Sequence, residues 1–359
     1  MTAAPSVHVI VPGDIDDPAL PSGGNAYDRR ICRDLHASGW RVHESAVPGS
    51  WPRPSPADRD LLARTLAAVP DGAAVLIDGL VACGVPDVLA APASRLALVV
   101  LVHLPLGDEL GAPPGLAARE REALRLAGAV VATSNWSADR LLAGHGLAPE
   151  RVHVVPPGVD PAPLAAGADG ASRLLCVGSV TPTKGQDLLV SALAEMPGEP
   201  WHCDLVGPLG RRPEFVASVR AAIGRNGLAD RLRLTGPRIG AQMAEAFDAA
   251  DLLVLPSRVE SYGMVATEAL ARGIPVLAAD VGGVREALGD DPEGGVPGIL
   301  VPPNDASALA AALRSWFARP AQRAGVRASA RRRRGRLDGW EVTLRRLIGV
   351  LERLPGTRG

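Results

Sequence analysis

Aromatic residues are scarce in this sequence: three Phe, two Tyr and six Trp among 359 residues. Single-stranded nucleic acid is held largely by bases stacked on aromatic rings, so this supply offers few platforms for it. Charge of one sign is also missing, because 38 Lys and Arg stand against 39 Asp and Glu for a net charge of -1. A generally basic, phosphate-binding surface is therefore excluded, and any such surface must be local. The four cysteines, Cys32, Cys83, Cys176 and Cys203, lie far apart and form no C-x-x-C pair. That argues against a zinc site or a redox couple and reads as small buried residues in a reducing compartment. No apolar run approaches the roughly 18 residues of a membrane span. The N-terminal MTAAPSVHVIVPGD lacks the charged n-region and the long apolar run of a signal peptide. These absences point to a cytoplasmic protein with peripheral membrane contact left open. Also absent is a G-x-G-x-x-G turn after a strand, which lowers the case for a nicotinamide enzyme.

What is present is an alternation of short apolar runs with helical patterns. SVHVIVP, RVHESAV, AVLIDG, LALVVLVH, GAVVAT and RVHVVPPG occupy the first half, separated by helical stretches. RLLCVGS, HCDLVGP, RLRLTG, DLLVLPS, IPVLAA and GILVPP repeat the scheme in the second. Strand, helix, strand in this order predicts parallel sheets covered on both faces. The length suits two domains, and the small-residue stretch 160–172, DPAPLAAGADGAS, is the best linker. The expectation is an α/β chain of two doubly wound, Rossmann-like domains facing across a cleft, residues 1–165 and 166–335. The remaining 336–359 carry a helical stripe of Trp340, Leu344, Leu347 and Leu351. Just before it, ARRRRGR over 330–336 reads as a solvated helix face, with a patch for anionic lipid or phosphate as the alternative.

In such sheets ligands gather at loops leaving the carboxyl ends of strands. Four of these loops carry suitable chemistry. PSGGNAYD follows the first strand and brings Gly23 and Gly24 to a helix start, where backbone N–H groups can approach a phosphate. VGSVTPTKGQD opens the second domain with Ser179, Lys184 and Gly185; a lysine at such a turn can neutralise a phosphate. ESYGMVATE places Glu260 in a loop and Glu268 on the following helix, with small residues between. VGGVRE is the fourth. Several glycine-rich strand ends and one lysine suit a ligand carrying a diphosphate. Asp14-Ile15-Asp16 has the D-x-D form of some metal sites but, with Asp17-Pro18 after it, reads as a turn.

With these motifs in order, the chain resembles the retaining glycosyltransferases of family 4 with the GT-B fold, which include phosphatidylinositol mannosyltransferases and bacterial sucrose and glycogen synthases. The resemblance runs nearly end to end. It is carried by the paired glycines and Tyr27, TSNWSADRLLAGHGLAPERVHVVPPGVD, Lys184-Gly185, the Glu260/Glu268 pair, VGG and GILVPPND. It implies transfer of a sugar from a nucleotide-sugar donor to an unidentified small-molecule, glycan or lipid acceptor, with retention, without metal or other cofactor, and without nucleic acid. By matching position, Lys184 would contact the donor diphosphate and Glu268 the ribose hydroxyls. Glu260 would hold the donor sugar, beside backbone N–H groups of Gly263, Met264 and Val265. His103, which alone reads as a histidine at a strand end, would lie close to the transferred sugar. Gly23 and Gly24 would close near the phosphates, and the terminal helix would return to the first domain.

One departure bears on donor binding. Many members carry Arg where this chain has Ser179, so one of two expected cations is absent, and Arg258, Arg238 and Arg211 are the replacements to consider. Two rivals remain at this stage: a sugar-nucleotide epimerase of similar fold, and a catalytically silent sugar-nucleotide binding protein.

Overall fold

The computed structural model describes residues 4–354. They form two compact units, one of residues up to 17, 23–157 and 340 onward, the other of 18–22 and 158–339. No helix among the described residues is long and apolar enough to cross a membrane.

The first unit is a six-stranded parallel sheet of β1 (Ser6–Pro12), β2 (Arg41–Val47), β3 (Ala74–Asp78), β4 (Ala97–Val102), β5 (Ala129–Ala132) and β6 (Val152–Val154). Its strand order is β2-β1-β3-β4-β5-β6. All five residues of β3 and nearly all of β4 are buried, which is why both are unbroken apolar runs rather than alternating ones. The edge strand β2 is mostly exposed and correspondingly polar. Local chemistry ends the helices where the sheet needs them to stop. In Asn135–His145, Ser134 accepts the Ser137 N–H at the start, and Gly146 closes the end at φ 63°. The helix Trp340–Leu351 belongs to this unit: Trp340 meets Tyr27 edge-on with centroids 5.5 Å apart, and Thr343 Oγ1 donates to Pro156 O at 2.8 Å.

The second unit repeats the plan with β7 (Arg173–Val177), β8 (His202–Val206), β9 (Leu232–Gly236), β10 (Leu252–Leu255), β11 (Val276–Ala279) and β12 (Ile299–Val301), all parallel. Their order is β12-β11-β10-β7-β8-β9. The chain reverses its direction of sheet growth between β7 and β10, so the loops leaving these two strands diverge and open a crevice at the carboxyl edge. In the first unit the corresponding reversal lies between β1 and β3.

The small-residue stretch 160–172 is fixed to the second unit. Asp251, 1% exposed, accepts the N–H groups of Ala168 at 3.1 Å, Gly170 at 2.9 Å and Arg173 at 3.1 Å. A buried carboxylate is tolerated there because several donors replace its water.

The arginine run departs from the expected solvated face. Arg332 makes paired hydrogen bonds to Asp291 at 2.8 and 2.5 Å, Arg333 donates to Leu288 O at 2.7 Å, and Arg334 donates to Ala271 O at 2.7 Å and Ala162 O at 2.5 Å. Leu288 and Ala271 are the last residues of two helices. These guanidinium groups therefore satisfy carbonyls that helix ends leave open. Sequence shows the charge but not the acceptors it meets.

Candidate functional site

The crevice of the second unit is built by two loops locked to each other. After β7 the chain passes Ser179 and makes a tight turn over Pro182–Lys184, ending at Gly185 with φ 68°. A side chain on Gly185 would meet Pro256 O at 2.1 Å, so the close approach of the β10 loop requires glycine here. From the other side Arg258 N donates to Thr183 O at 2.8 Å. Its guanidinium grips Asp187 at 2.8 and 2.7 Å and Pro182 O at 2.9 Å. Arg258 is thus a strut whose charge is already matched, which removes it as the substitute for the absent arginine. Arg238 is drawn to Asp204 at 3.4 Å, and Arg211 stays exposed.

Lys184 lies on this platform with its stem along Gly178, and its ammonium donates to Glu260 Oε2 at 2.6 Å. Ser257 Oγ approaches the same oxygen at 3.3 Å. Glu260 is 8% exposed, and its backbone is pinned in turn: its carbonyl accepts Gly283 N–H at 3.0 Å. A side chain on Gly282 would meet that carbonyl at 1.8 Å. This is the structural reason for the paired glycines of VGG. The lysine and the first glutamate of the sequence reading therefore meet directly, a contact that spacing alone did not reveal.

Gly263, at φ 96°, starts the helix Met264–Ala271, and no side chain caps it. The first N–H groups of a helix have no partner within it, so Met264 and Val265 present donors and the positive end of the dipole where an anion can use them. Glu268 sits one turn further along. Burial pushes its carboxyl up to about 7, with Asp160 adding to the rise and Arg272 opposing it. A carboxylate that half-charges near neutrality can accept two hydroxyl hydrogen bonds once ionised. The helix ends at Ala271, and Gly273, φ 67°, turns the chain away.

The first unit gathers a separate group. Gly23 and Gly24 begin the helix Gly23–Ala37, and a side chain on Gly24 would meet the His103 ring at 3.0 Å. His103 Nε2 is 2.8 Å from Asp28 Oδ1 and 3.5 Å from Asp78 Oδ2. Burial works against its charge, but the charge and hydrogen bond of Asp28, with the charge of Asp78, raise it to about 9. Asp78 is pushed well above the carboxylate range by burial and by Asp28. The sequence reading missed both acids, although Asp78 closes the AVLID strand and Asp28 follows the paired glycines. These three are the one group among the described residues close enough to share a cation, but hydrogen bonding already spans the spacing. The D-x-D stretch is a turn: Asp17 N donates to Asp14 O at 3.0 Å, and Asp16 is held by Arg29.

Comparison with known proteins gives these sites a context. A family model for "Glycosyl transferases group 1" matches residues 167–333, and one for "Glycosyltransferase Family 4" matches residues 6–163. The D-inositol 3-phosphate glycosyltransferase 1 of Catenulispora acidiphila is 33% identical over 302 residues, 77% of this chain and 69% of that protein. The D-inositol 3-phosphate glycosyltransferase of Kineococcus radiotolerans is 37% identical over 265 residues, 67% of this chain and 60% of that one. The chain thus spans about two thirds of the length of these relatives. Among solved structures, sucrose-phosphate synthase from Thermosynechococcus elongatus superposes with a TM-score of 0.78 at 22% identity, covering 98% of this chain and 99% of that one. Anabaena HepE in complex with UDP-glucose gives 0.78 at 20% identity, covering 98% and 100%. The two parallel sheets are those of the GT-B architecture, and the chain belongs to the family 4 glycosyltransferases.

Proposed function

We propose that the protein transfers a sugar from a nucleoside-diphosphate sugar to a hydroxyl of a small acceptor, with the anomeric configuration retained and no metal required. One observation carries this reading: Lys184, Glu260, the uncapped start of Met264–Ala271 and Glu268 all converge on the switch point of one sheet. The order of chemistry along that edge fits one elongated ligand. Glu260 would take sugar hydroxyls, Lys184 and the N–H groups of Met264 and Val265 the diphosphate, and Glu268 the two ribose hydroxyls. As the bond from the sugar's anomeric carbon to the diphosphate breaks, its electron pair passes to phosphate oxygen. The lysine and the fixed N–H dipoles stabilise that growing charge without reorganising. A phosphate oxygen so exposed can accept the proton of the acceptor hydroxyl, so a separate side-chain base is not demanded.

The family assignment sets the epimerase reading aside. The silent-binder reading keeps one supporting observation, because Ser179 is neutral and Arg258 is committed to Asp187. For the acceptor, the names of the relatives make a phosphorylated polyol the first to try. A thermal-shift panel of nucleotide sugars, followed by turnover with the strongest binder and inositol phosphate, tests the proposal. Release of nucleoside diphosphate with a new glycosidic product is expected. Tight donor binding with neither hydrolysis nor transfer, across acceptor classes, would favour the binder.

A further inference from the structure

Helix Gly23–Ala37 and strands β3 and β4 bring together three ionisable groups, two of them far from His103 in sequence, with Asp28 and His103 75 residues apart. We propose that Asp28, backed by Asp78, is a positioning residue for His103: the two buried acids hold one proton between them and keep the imidazole doubly protonated, presenting Nδ1–H to substrate. Its bearing on turnover rests on the transferase reading above; the charge state of the ring does not.

The geometry leads to this in three steps. The side chains of Asp28 and Asp78 are 3% and 5% exposed while that of His103 is 21% exposed, so the ring is the only one of the three with an open side. Nε2 is committed to Asp28 Oδ1, and Nδ1 makes no hydrogen bond among the described residues. Next, Asp28 Oδ2 is buried with no donor. A buried unpaired carboxylate oxygen is costly, and Asp28 and Asp78 bring carboxylate oxygens within 4.8 Å of one another. A proton on Asp78 supplies the missing donor. Finally, two carboxylates this close in a buried, low-dielectric site disfavour each other's charge. The space beside them is small, about 10 Å³, and is lined otherwise by aliphatic side chains such as Val9, Ile31 and Leu101. With one acid protonated, one carboxylate faces one imidazolium and the buried charge sums to zero.

The other group facing the ring is Tyr27, edge-on with centroids 5.3 Å apart. Burial raises its phenol, so it stays uncharged. Among the described residues His103 is the only cation paired with either acid. The ring's rise to about 9 accords with this balance.

The test is nitrogen-15 NMR of the histidine side chains in the full chain from pH 5.5 to 10, with His103 assigned by His103→Gln. The wild type should show His103 doubly protonated at pH 7.5. Asp28→Asn should lower its midpoint by about two units, a hundredfold in proton affinity, and Asp78→Asn by less. With a nucleotide sugar, turnover of Asp28→Asn should fall above the lowered midpoint while the wild type stays flat, and KM should move less than kcat. A neutral His103 in the wild type at pH 7.5 overturns the proposal even if neither variant folds. So does a midpoint unmoved by Asp28→Asn, or stoichiometric binding of zinc or manganese that shifts the His103 resonances, which would make the trio a metal site. A protonated, Asp28-dependent His103 in a chain that turns over no nucleotide sugar would support the network and count against the donor reading instead.

Discussion

Replacing Lys184 with Met removes the ammonium and keeps the stem that lies along Gly178. A hydrogen bond to a charged group contributes about 1.5 to 3 kcal/mol. The ammonium donates to Glu260 at 2.6 Å, and about a third of the lysine side chain is exposed to screening water. Both facts place the loss at the lower end. Lysine has three donors, however, so part of the Glu260 contact survives when phosphate arrives. The expected loss in nucleoside-diphosphate affinity is about 1.5 to 2 kcal/mol, roughly 10- to 30-fold. The parent nucleoside, with no diphosphate, should bind the variant within about twofold of wild type. Isothermal titration of both ligands at one salt concentration makes the comparison. Unchanged diphosphate affinity, or an equal loss for the nucleoside, would refute the assignment of Lys184 to the phosphates.

The remaining expectations concern the same edge and the 160–172 segment held by Asp251. Glu260→Gln releases Lys184, so free nucleoside diphosphate should bind at least as well as before, while kcat/KM for sugar transfer falls; weaker diphosphate binding would mean that Glu260 serves only to hold the lysine. Glu268 is raised by burial to about 7, so its ionised form is disfavoured in the fold: the associated stability is present below the ordinary glutamate range and is lost as pH rises through 7. Ribose needs that ionised form as acceptor, so nucleoside affinity should climb from pH 6 to 8 and lose this slope in Glu268→Gln, as titration at several pH values would reveal. Asp251→Ala leaves the N–H groups of Ala168, Gly170 and Arg173 without their acceptor and should destabilise the protein by about 3 kcal/mol, read from the urea midpoint; a shift near zero would mean water substitutes freely. Activity should persist in EDTA, since Lys184 and helix-start dipoles take the cation's place; loss restored by magnesium would return attention to Asp28, Asp78 and His103.

Much of this was legible in sequence because parallel strands covered on both faces are near-continuous apolar runs, and runs such as ALVVLV and LLVL are short, rich in valine and leucine, and alternate with helical stretches. The loops were legible too, since ligand chemistry in this architecture must leave the carboxyl ends of strands. Pairings were not. Lys184 and Glu260 are 76 residues apart, and they meet only because β7 and β10 are neighbours in the sheet. Asp28, Asp78 and His103 meet because β1, β3 and β4 lie side by side. Strand order is a property of the whole chain, and no local pattern encodes it. The arginine run misled for a related reason: its acceptors are carbonyls at helix ends contributed by distant segments. Arg258 was open as a phosphate ligand until the position of Asp187 showed its charge already matched.

A structure of the protein with a nucleoside-diphosphate sugar would show the donor's direction along the sheet edge. The diphosphate should lie within hydrogen-bonding distance of Lys184 Nζ and of the N–H groups of Met264 and Val265, with both ribose hydroxyls on Glu268 and sugar hydroxyls on Glu260, its oxygen withdrawn from the lysine. A donor bound away from Lys184, or one lying in the reverse direction with its ribose on Glu260, would contradict this placement.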